Sequence, residues 1–256
     1  MLDTRTPSVA RAYDHLLGGE ASFAADRALA GRLVALYPGL QDTLTSSRRQ
    51  VADAVARIAR QGVDQYLDVG AGLPTRPSTH ATARALLPAA RVAYVDRDPL
   101  VVEHAASLIP PGVRYQGGDL TEPEALLAAL SYPGAAAQPV ARARPPRPEP
   151  PGFIDFSRPL CLVLALVVQA LEPGTARAVV GVLVKALPPG SYLVATVAGR
   201  LPDSVWPAAA TEADLVAFFG GLDLLPPGIG RDGDVLSGVG VKPYPGRPRD
   251  SGKSRG

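Results

Sequence analysis

The chain has no asparagine and a single cysteine, Cys161, in 256 residues. One cysteine excludes an internal disulfide. Its place in the apolar run LCLVLALVV, residues 160–168, reads as a buried, inert thiol. Aromatic residues make up only 5% of the chain, so Ala, Leu and Val must fill the core. Lysine is scarce beside arginine. With abundant Ala, Gly and Pro, this bias and the missing Asn read as the codon usage of a GC-rich bacterial genome, not as a functional signal. The longest apolar run falls well short of the roughly 20 residues of a membrane span. No cationic start with an apolar segment marks a secretion signal. A soluble, cytoplasmic protein is the expectation. The three histidines, His15, His80 and His104, are scattered without ligand spacing, so no metal site is expected.

The formal net charge of +2 is unevenly placed. Residues 138–150, QPVARARPPRPEP, carry a net +2, and residues 242–256 carry a net +4. The rest of the chain is therefore net acidic by four. Basic charge confined to such segments argues against a nucleic-acid groove on the folded body. Residues 132–152 are rich in Pro, Ala and Arg without periodicity and read as a disordered loop. Residues 246–256 read as a flexible tail. Nothing in the pattern selects an oligomeric state.

What is present is a regular alternation. Three helices are expected first, over 8–19, 21–37 and 47–61. In the last of these Val51, Val55 and Ile58 share one face. Strands are then expected at 65–69, 91–96, 113–119, within 158–168, and at 190–198, 222–225 and 235–241. Helices are expected between them at 78–87, 99–108, 122–130, 172–187 and 211–219. Repeated strand–helix units dictate an α/β fold with a mostly parallel sheet covered on both faces. Residues 1–62 read as an N-terminal helical cap and 63–245 as the sheet domain, together one compact unit.

The informative stretch is QYLDVGAGLPTRPSTH, residues 65–80, a strand that runs into Asp68 and then Gly70 and Gly72. A dinucleotide fingerprint would place a third glycine where Thr75 stands. A tight turn with no ligand is the bland alternative. The acids decide more. Asp68, Asp96 and Asp119 fall at the ends of three successive strands, on the edge where open α/β sheets bind ligands. Several carboxylates suit a pyrophosphate poorly. S-adenosylmethionine carries no phosphate, and its ammonium, ribose hydroxyls and adenine amine are all donors. Asp68 would serve the ammonium, Asp96 both ribose hydroxyls and Asp119 the adenine amine. Gly70 and Gly72 would let the backbone approach, with Ala71, Pro74, Arg97 and Leu120 beside them. Arg48 is a candidate for the cofactor carboxylate. Asp96, at a cleft edge, is expected to give the core little, and Asp98 before Pro99 to cap a helix.

DVGAGLPT followed by VAYVDRDP and GGDL resembles the class I S-adenosylmethionine-dependent methyltransferases. PSVARAYDHLLGGEASFAADR with FSRPLCLVLALVV narrows the resemblance to the actinobacterial S-adenosyl methyltransferase family, formerly a domain of unknown function. The resemblance covers nearly the whole chain except the Pro/Arg loop and the tail. It implies a Rossmann-like, seven-stranded sheet under an N-terminal helical cap, S-adenosylmethionine as cofactor, and a small-molecule acceptor that it does not identify. The chain departs from the family pattern in places. LLGG is followed by Glu20, Ala21 and Ser22 where the family has Lys-Asp-Asn. Ser47 and Ser78 stand for Asn, and Gln169 stands for His.

Methyl transfer needs alignment first, and a base only where the acceptor must lose a proton. Candidates for chemistry are Tyr13, His15 and Gln169. Two alternatives accompany the methyltransferase reading. The missing Asn and His residues motivate a non-catalytic protein of the same fold with a binding or regulatory role. The glycine turn motivates an NAD(P)-dependent oxidoreductase, against which Thr75 already weighs.

Overall fold

The computed structural model describes residues 4–131, 153–199 and 211–246. The expected disordered loop lies outside the described residues, as does the expected tail from residue 247 on. Three helices come first: α1 (Val9–Leu16), α2 (Ala24–Leu36) and α3 (Leu40–Arg60). Then β1 (Gln65–Val69), α4 (Thr79–Leu86), β2 (Arg91–Asp96), α5 (Pro99–Leu108), β3 (Val113–Gly117) and α6 (Pro123–Ser131) alternate. β4 (Cys161–Ala165), α7 (Pro173–Ala186), β5 (Tyr192–Ala198), α8 (Glu212–Phe218), β6 (Asp223–Leu224), β7 (Gly230–Asp232) and β8 (Val235–Val241) complete the body.

The strands form one sheet in the order β3-β2-β1-β4-β5-β8-β6, with β7 also paired to β8. The first five are parallel to one another, and β8 runs antiparallel to β5, β6 and β7. Among the described residues eight strands replace the seven expected, because the outermost position is divided. β6 pairs with the end of β8 and β7 with its start. Between them lie Pro226 and Pro227, which have no N–H to donate to a ladder. A three-residue strand is too short to leave a period-2 pattern, so β7 was not legible in the sequence.

Two more boundaries move. α3 begins at Leu40, seven residues before the expected start, because Pro38 and Gly39 end one helix and the next follows at once. β4 stops at Ala165, although the apolar run continues to Val168. Leu166 has φ +54°, in a left-handed region that a non-glycine residue rarely adopts, and it turns the chain into a 3₁₀ turn at Val168–Ala170.

Alternation along the strands feeds two cores. Leu67, Val95, Leu162 and Leu164 pack with α6, α7 and α8 on one face. Tyr66, Val92, Tyr94, Cys161 and Val163 pack with α3, α4 and α5 on the other. Cys161 is fully buried, and burial pushes its thiol pKa up, as an inert core thiol requires. A third cluster joins Leu33, Leu40 and Leu44 to Leu166 and Ala198 at the carboxyl ends of β4 and β5, with Tyr13 against it. The first two helices are thereby seated over the edge of the sheet where the strand-end acids lie.

Candidate functional site

A cleft of about 380 Å³ opens at the carboxyl ends of β1, β2 and β4. Its floor is the turn after β1, and its roof comes from Pro7 to Tyr13 at the start of α1. Of the residues singled out from the sequence, Tyr13, Arg48, Asp68, Gly70, Ala71, Gly72, Asp96, Arg97, Asp119 and Leu120 all line it. His15, Pro74 and Gln169 do not. Pro74 lies in the turn beyond Gly72. His15 falls in the last turn of α1. Val9, Val51, Leu166, Val167 and Leu171 make much of the wall apolar. None of these was foreseen, since an apolar residue facing a cleft has the same local pattern as one facing a core.

The turn after β1 spends its backbone donors in an unusual way. Gly70 and Gly72 both take positive φ, +68° and +60°. A Cβ at Gly70 would come within 2.1 Å of the Val167 side chain, so only glycine fits there. The N–H groups of Gly70 and Ala71 both donate to the Val95 carbonyl, at 2.8 and 3.1 Å. The N–H of Gly72 donates to Asp96 Oδ2 at 2.9 Å. The Gly72 carbonyl accepts from the Tyr115 hydroxyl. Tyr115 stacks on Tyr94 with ring centroids 5.6 Å apart, and the Tyr94 hydroxyl lies 2.9 Å from His80 Nδ1. All three of these N–H groups therefore point into the protein. A phosphate site needs such donors free.

The acids have distinct environments. Asp96 ends β2 and is only 9% exposed. Its Oδ1 accepts from the Asp98 N–H at 3.0 Å and its Oδ2 from Gly72. Burial raises its pKa, against the pull of those two N–H donors. Three backbone N–H groups, of Gly72, Asp98 and Arg97, are directed at its carboxylate, which has about four acceptor positions in all. This overturns the expectation that Asp96 gives the fold little, because its carboxylate ties the β1 turn to the β2 turn.

Asp68 is 5% exposed and accepts from Thr79 Oγ1 at 2.6 Å. Burial pushes its pKa up to about 6, against the Thr79 hydrogen bond and the charge of Arg48. Asp119 lies two residues beyond the end of β3. Its Oδ1 accepts from the Thr121 N–H and hydroxyl, both at 2.8 Å, and these bonds lower its pKa. Asp98 caps α5 by accepting from Leu100 at 2.9 Å. Arg48 donates to the Leu73 carbonyl at 3.3 Å, and its guanidinium stacks 5.2 Å from the centroid of the Tyr13 ring.

The departures from the family pattern have structural occupations. Ser78 is the N-cap of α4 and accepts from the Ala81 N–H, a role serine and asparagine fill about equally well. Ser47 Oγ lies 2.8 Å from Thr196 Oγ1, both residues fully buried. Gln169 Oε1 accepts from the Ala198 N–H at 2.7 Å, and its Nε2 is buried without a partner among the described residues. Ala21 donates its backbone N–H to Asp14 Oδ2 at 3.2 Å, a contact its side chain does not enter. Among the described residues no group of His, Cys, Asp and Glu is arranged to hold a metal ion, and no helix is long and apolar enough to cross a membrane.

The sequence matches a family model described as S-adenosyl methyltransferase over residues 1–233. A solved protein from Thermobifida fusca, described provisionally as a methyltransferase, is 32% identical, with a TM-score of 0.78 covering 94% of this chain and 97% of that one. A DUF574 family protein from Streptomyces avermitilis is 27% identical, with a TM-score of 0.77 over 94% and 99% of the two chains. No curated protein matches the sequence. The chain belongs to the S-adenosyl methyltransferase family, whose cofactor is S-adenosylmethionine.

Proposed function

We propose that the cleft holds S-adenosylmethionine and that the protein transfers its methyl group to a small-molecule acceptor. The observation that carries this is the polarity of the turn after β1. Its N–H donors are turned inward, and the cleft around it presents Asp68, Asp96 and Asp119. Such a cleft accepts hydrogen bonds and favours positive charge. That matches a ligand with an ammonium, a sulfonium, two ribose hydroxyls and an adenine amine, and it opposes a pyrophosphate. The dinucleotide alternative loses its support on the same ground.

When bound, the cofactor supplies an electrophilic methyl carbon. The chain's own residues then have separable roles. Asp96 receives the ribose hydroxyls on the cleft side of its carboxylate. Asp68, paired with Thr79, faces the ammonium, and Asp119 the adenine edge beside Leu120. Arg48, held by Leu73 and Tyr13, meets the cofactor carboxylate. The apolar wall of Leu166, Val167 and Leu171 excludes water from the reacting atoms. With the methyl donor fixed, positioning of the acceptor supplies most of the rate. Tyr13, at the roof, carries a hydroxyl that can hydrogen-bond to an acceptor. A cytoplasmic setting belongs to this same reading.

Calorimetric titration with S-adenosylmethionine and S-adenosylhomocysteine tests it. Binding of both in the micromolar range is expected. Absence of heat with either at millimolar ligand and folded protein overturns it.

A further inference from the structure

Two stretches carry the sequence resemblance most specifically, AYDHLLGG in the cap and GLPT after β1, and they are about 60 residues apart in the chain. The structure brings them together. Asp14, on α1, is 4% exposed and does not line the cleft. Its Oδ1 accepts from the Thr75 hydroxyl and its Oδ2 from the Ala21 N–H. Gly19 is pressed against it: a Cβ there would lie 2.2 Å from the carboxylate oxygens. The doubled glycine after α1 therefore folds the chain back around one buried acid, and that acid reaches the turn.

Thr75 closes the turn from its far side. Its N–H donates to the Leu73 carbonyl at 2.7 Å, and the same carbonyl accepts from Arg48. Across the cleft, the Ala10 Cβ approaches the position a Cβ on Gly72 would take, at 3.6 Å. The cap thus grips the segment from Gly72 to Thr75 at three places, through Ala10, Arg48 and Asp14. From below, Asp96 and Tyr115 hold the Gly72 N–H and carbonyl.

We propose that Asp14 and Thr75 form a latch by which the cap sets the conformation of the β1 turn, making Asp14 a positioning residue for the cofactor. This rests on the reading of the cleft given above. Asp14 touches no ligand. It acts through the Thr75 hydroxyl on the backbone at Gly72 and Leu73, and through α1 on the roof residues Ala10 and Tyr13. The threonine that stands where a dinucleotide fingerprint would carry glycine thereby gains a function of its own, because its side chain is the handle that the cap holds. Seating of the cap and seating of the cofactor are then one coupled event.

The test uses the full chain and S-adenosylhomocysteine as the calorimetric ligand. Thr75→Val removes the donor at nearly constant shape, and Thr75→Ser restores it. Thr75→Val is expected to weaken binding about tenfold or more, with the unliganded melting temperature lowered by only a few degrees. Thr75→Ser should bind within about twofold of wild type, and Asp14→Ala should show no further loss when Thr75→Val is added. Wild-type affinity in Thr75→Val overturns the latch, as does a Thr75→Ser variant no better than Thr75→Val. Those two variants decide the matter even where Asp14→Ala fails to fold. If the wild-type chain itself does not bind, the reading of the cleft falls, and the latch with it.

Discussion

Replacing Asp68 by Asn should stabilise the protein and impair it at once. Asp68 is a buried carboxylate whose pKa is raised from 3.8 to about 6 with Arg48 and Thr79 already acting in its favour. That rise corresponds to about 3 kcal/mol of strain borne by the charged form in the folded state. The sign is set by linkage. Between pH 4 and 6 the unfolded chain has lost this proton and the folded chain keeps it. Stability from this group is therefore full below about pH 4 and is lost as pH rises through 6. Asn carries no charge to bury, and its amide oxygen still accepts from Thr79. Asp68→Asn should match wild type near pH 4 and exceed it by about 1–3 kcal/mol at pH 8. Urea unfolding followed by circular dichroism at four pH values measures this. A difference that stays flat from pH 4 to 8, or a variant less stable at pH 8, refutes the assignment of a strained buried carboxylate. The same variant should bind S-adenosylhomocysteine at least tenfold more weakly at pH 8, since the ammonium loses its counter-charge.

In the wild type, affinity for S-adenosylhomocysteine should fall about tenfold from pH 7 to pH 5 as Asp68 takes up a proton, measured by calorimetry in matched buffers. Asp96→Ala should cost about 2–4 kcal/mol of cofactor affinity and, because the Gly72, Arg97 and Asp98 N–H groups lose their acceptor, about 1–3 kcal/mol of stability. Asp98→Ala should cost only about 1 kcal/mol of stability, with affinity nearly intact, which a paired unfolding and titration series would show. Asp26 is fully buried and accepts from Arg11 Nε, Ser8 N and Phe23 N, so Asp26→Ala should destabilise the cap by about 3–5 kcal/mol in thermal unfolding. Despite burial, its hydrogen bonds to Arg11 and those N–H groups hold its pKa down, so the stability it contributes is present above pH 4 and fades as pH falls below, the opposite of Asp68.

The strands that were legible in the sequence share a cause. β1, β2 and β5 are rich in β-branched, leucine, alanine and aromatic residues and are buried along most of their length, so composition and length marked them. Asp98 followed by Pro99 marked the start of α5, because both residues suit that position for local reasons. The three acids line the cleft because each lies close to a strand end, Asp68 one residue before the end of β1, Asp96 at the end of β2 and Asp119 two residues beyond β3. What was not legible depends on partners distant in the chain. That Asp96 holds Gly72 as well as facing the cleft depends on a turn 24 residues away. That β4 ends at Ala165 depends on Leu166 turning into the cluster beneath α2 and α3, which the uniform run LCLVLALVV does not show. His15 and Gln169 were singled out by residue type, and both fall outside the cleft lining.

The missing asparagines bear on whether the chain is a working enzyme or a binding descendant, and the structure changes their weight. At Ser78 the backbone needs a short side-chain oxygen to cap α4, and serine supplies it. At Ser47 the need is a hydroxyl-sized partner for Thr196 inside the core. At residue 21 the Ala21 backbone N–H donates to Asp14, and any residue other than proline provides that N–H. At each of these positions the residue present makes a structural contact of its own. Gln169 is different. Its oxygen is committed to Ala198, while its Nε2 is buried with no partner among the described residues, an arrangement that costs stability unless something uses the donor. Among these departures Gln169 is the one whose side chain leaves a buried polar atom unpaired among the described residues. Gln169→Leu, which removes both polar atoms, isolates that position. If the donor serves no ligand, the change should leave methyl transfer intact and stability within about 1–2 kcal/mol, since the loss of the Ala198 acceptor is offset by relief of the unpaired amide. A loss of turnover with cofactor affinity retained would instead place residue 169 at the acceptor.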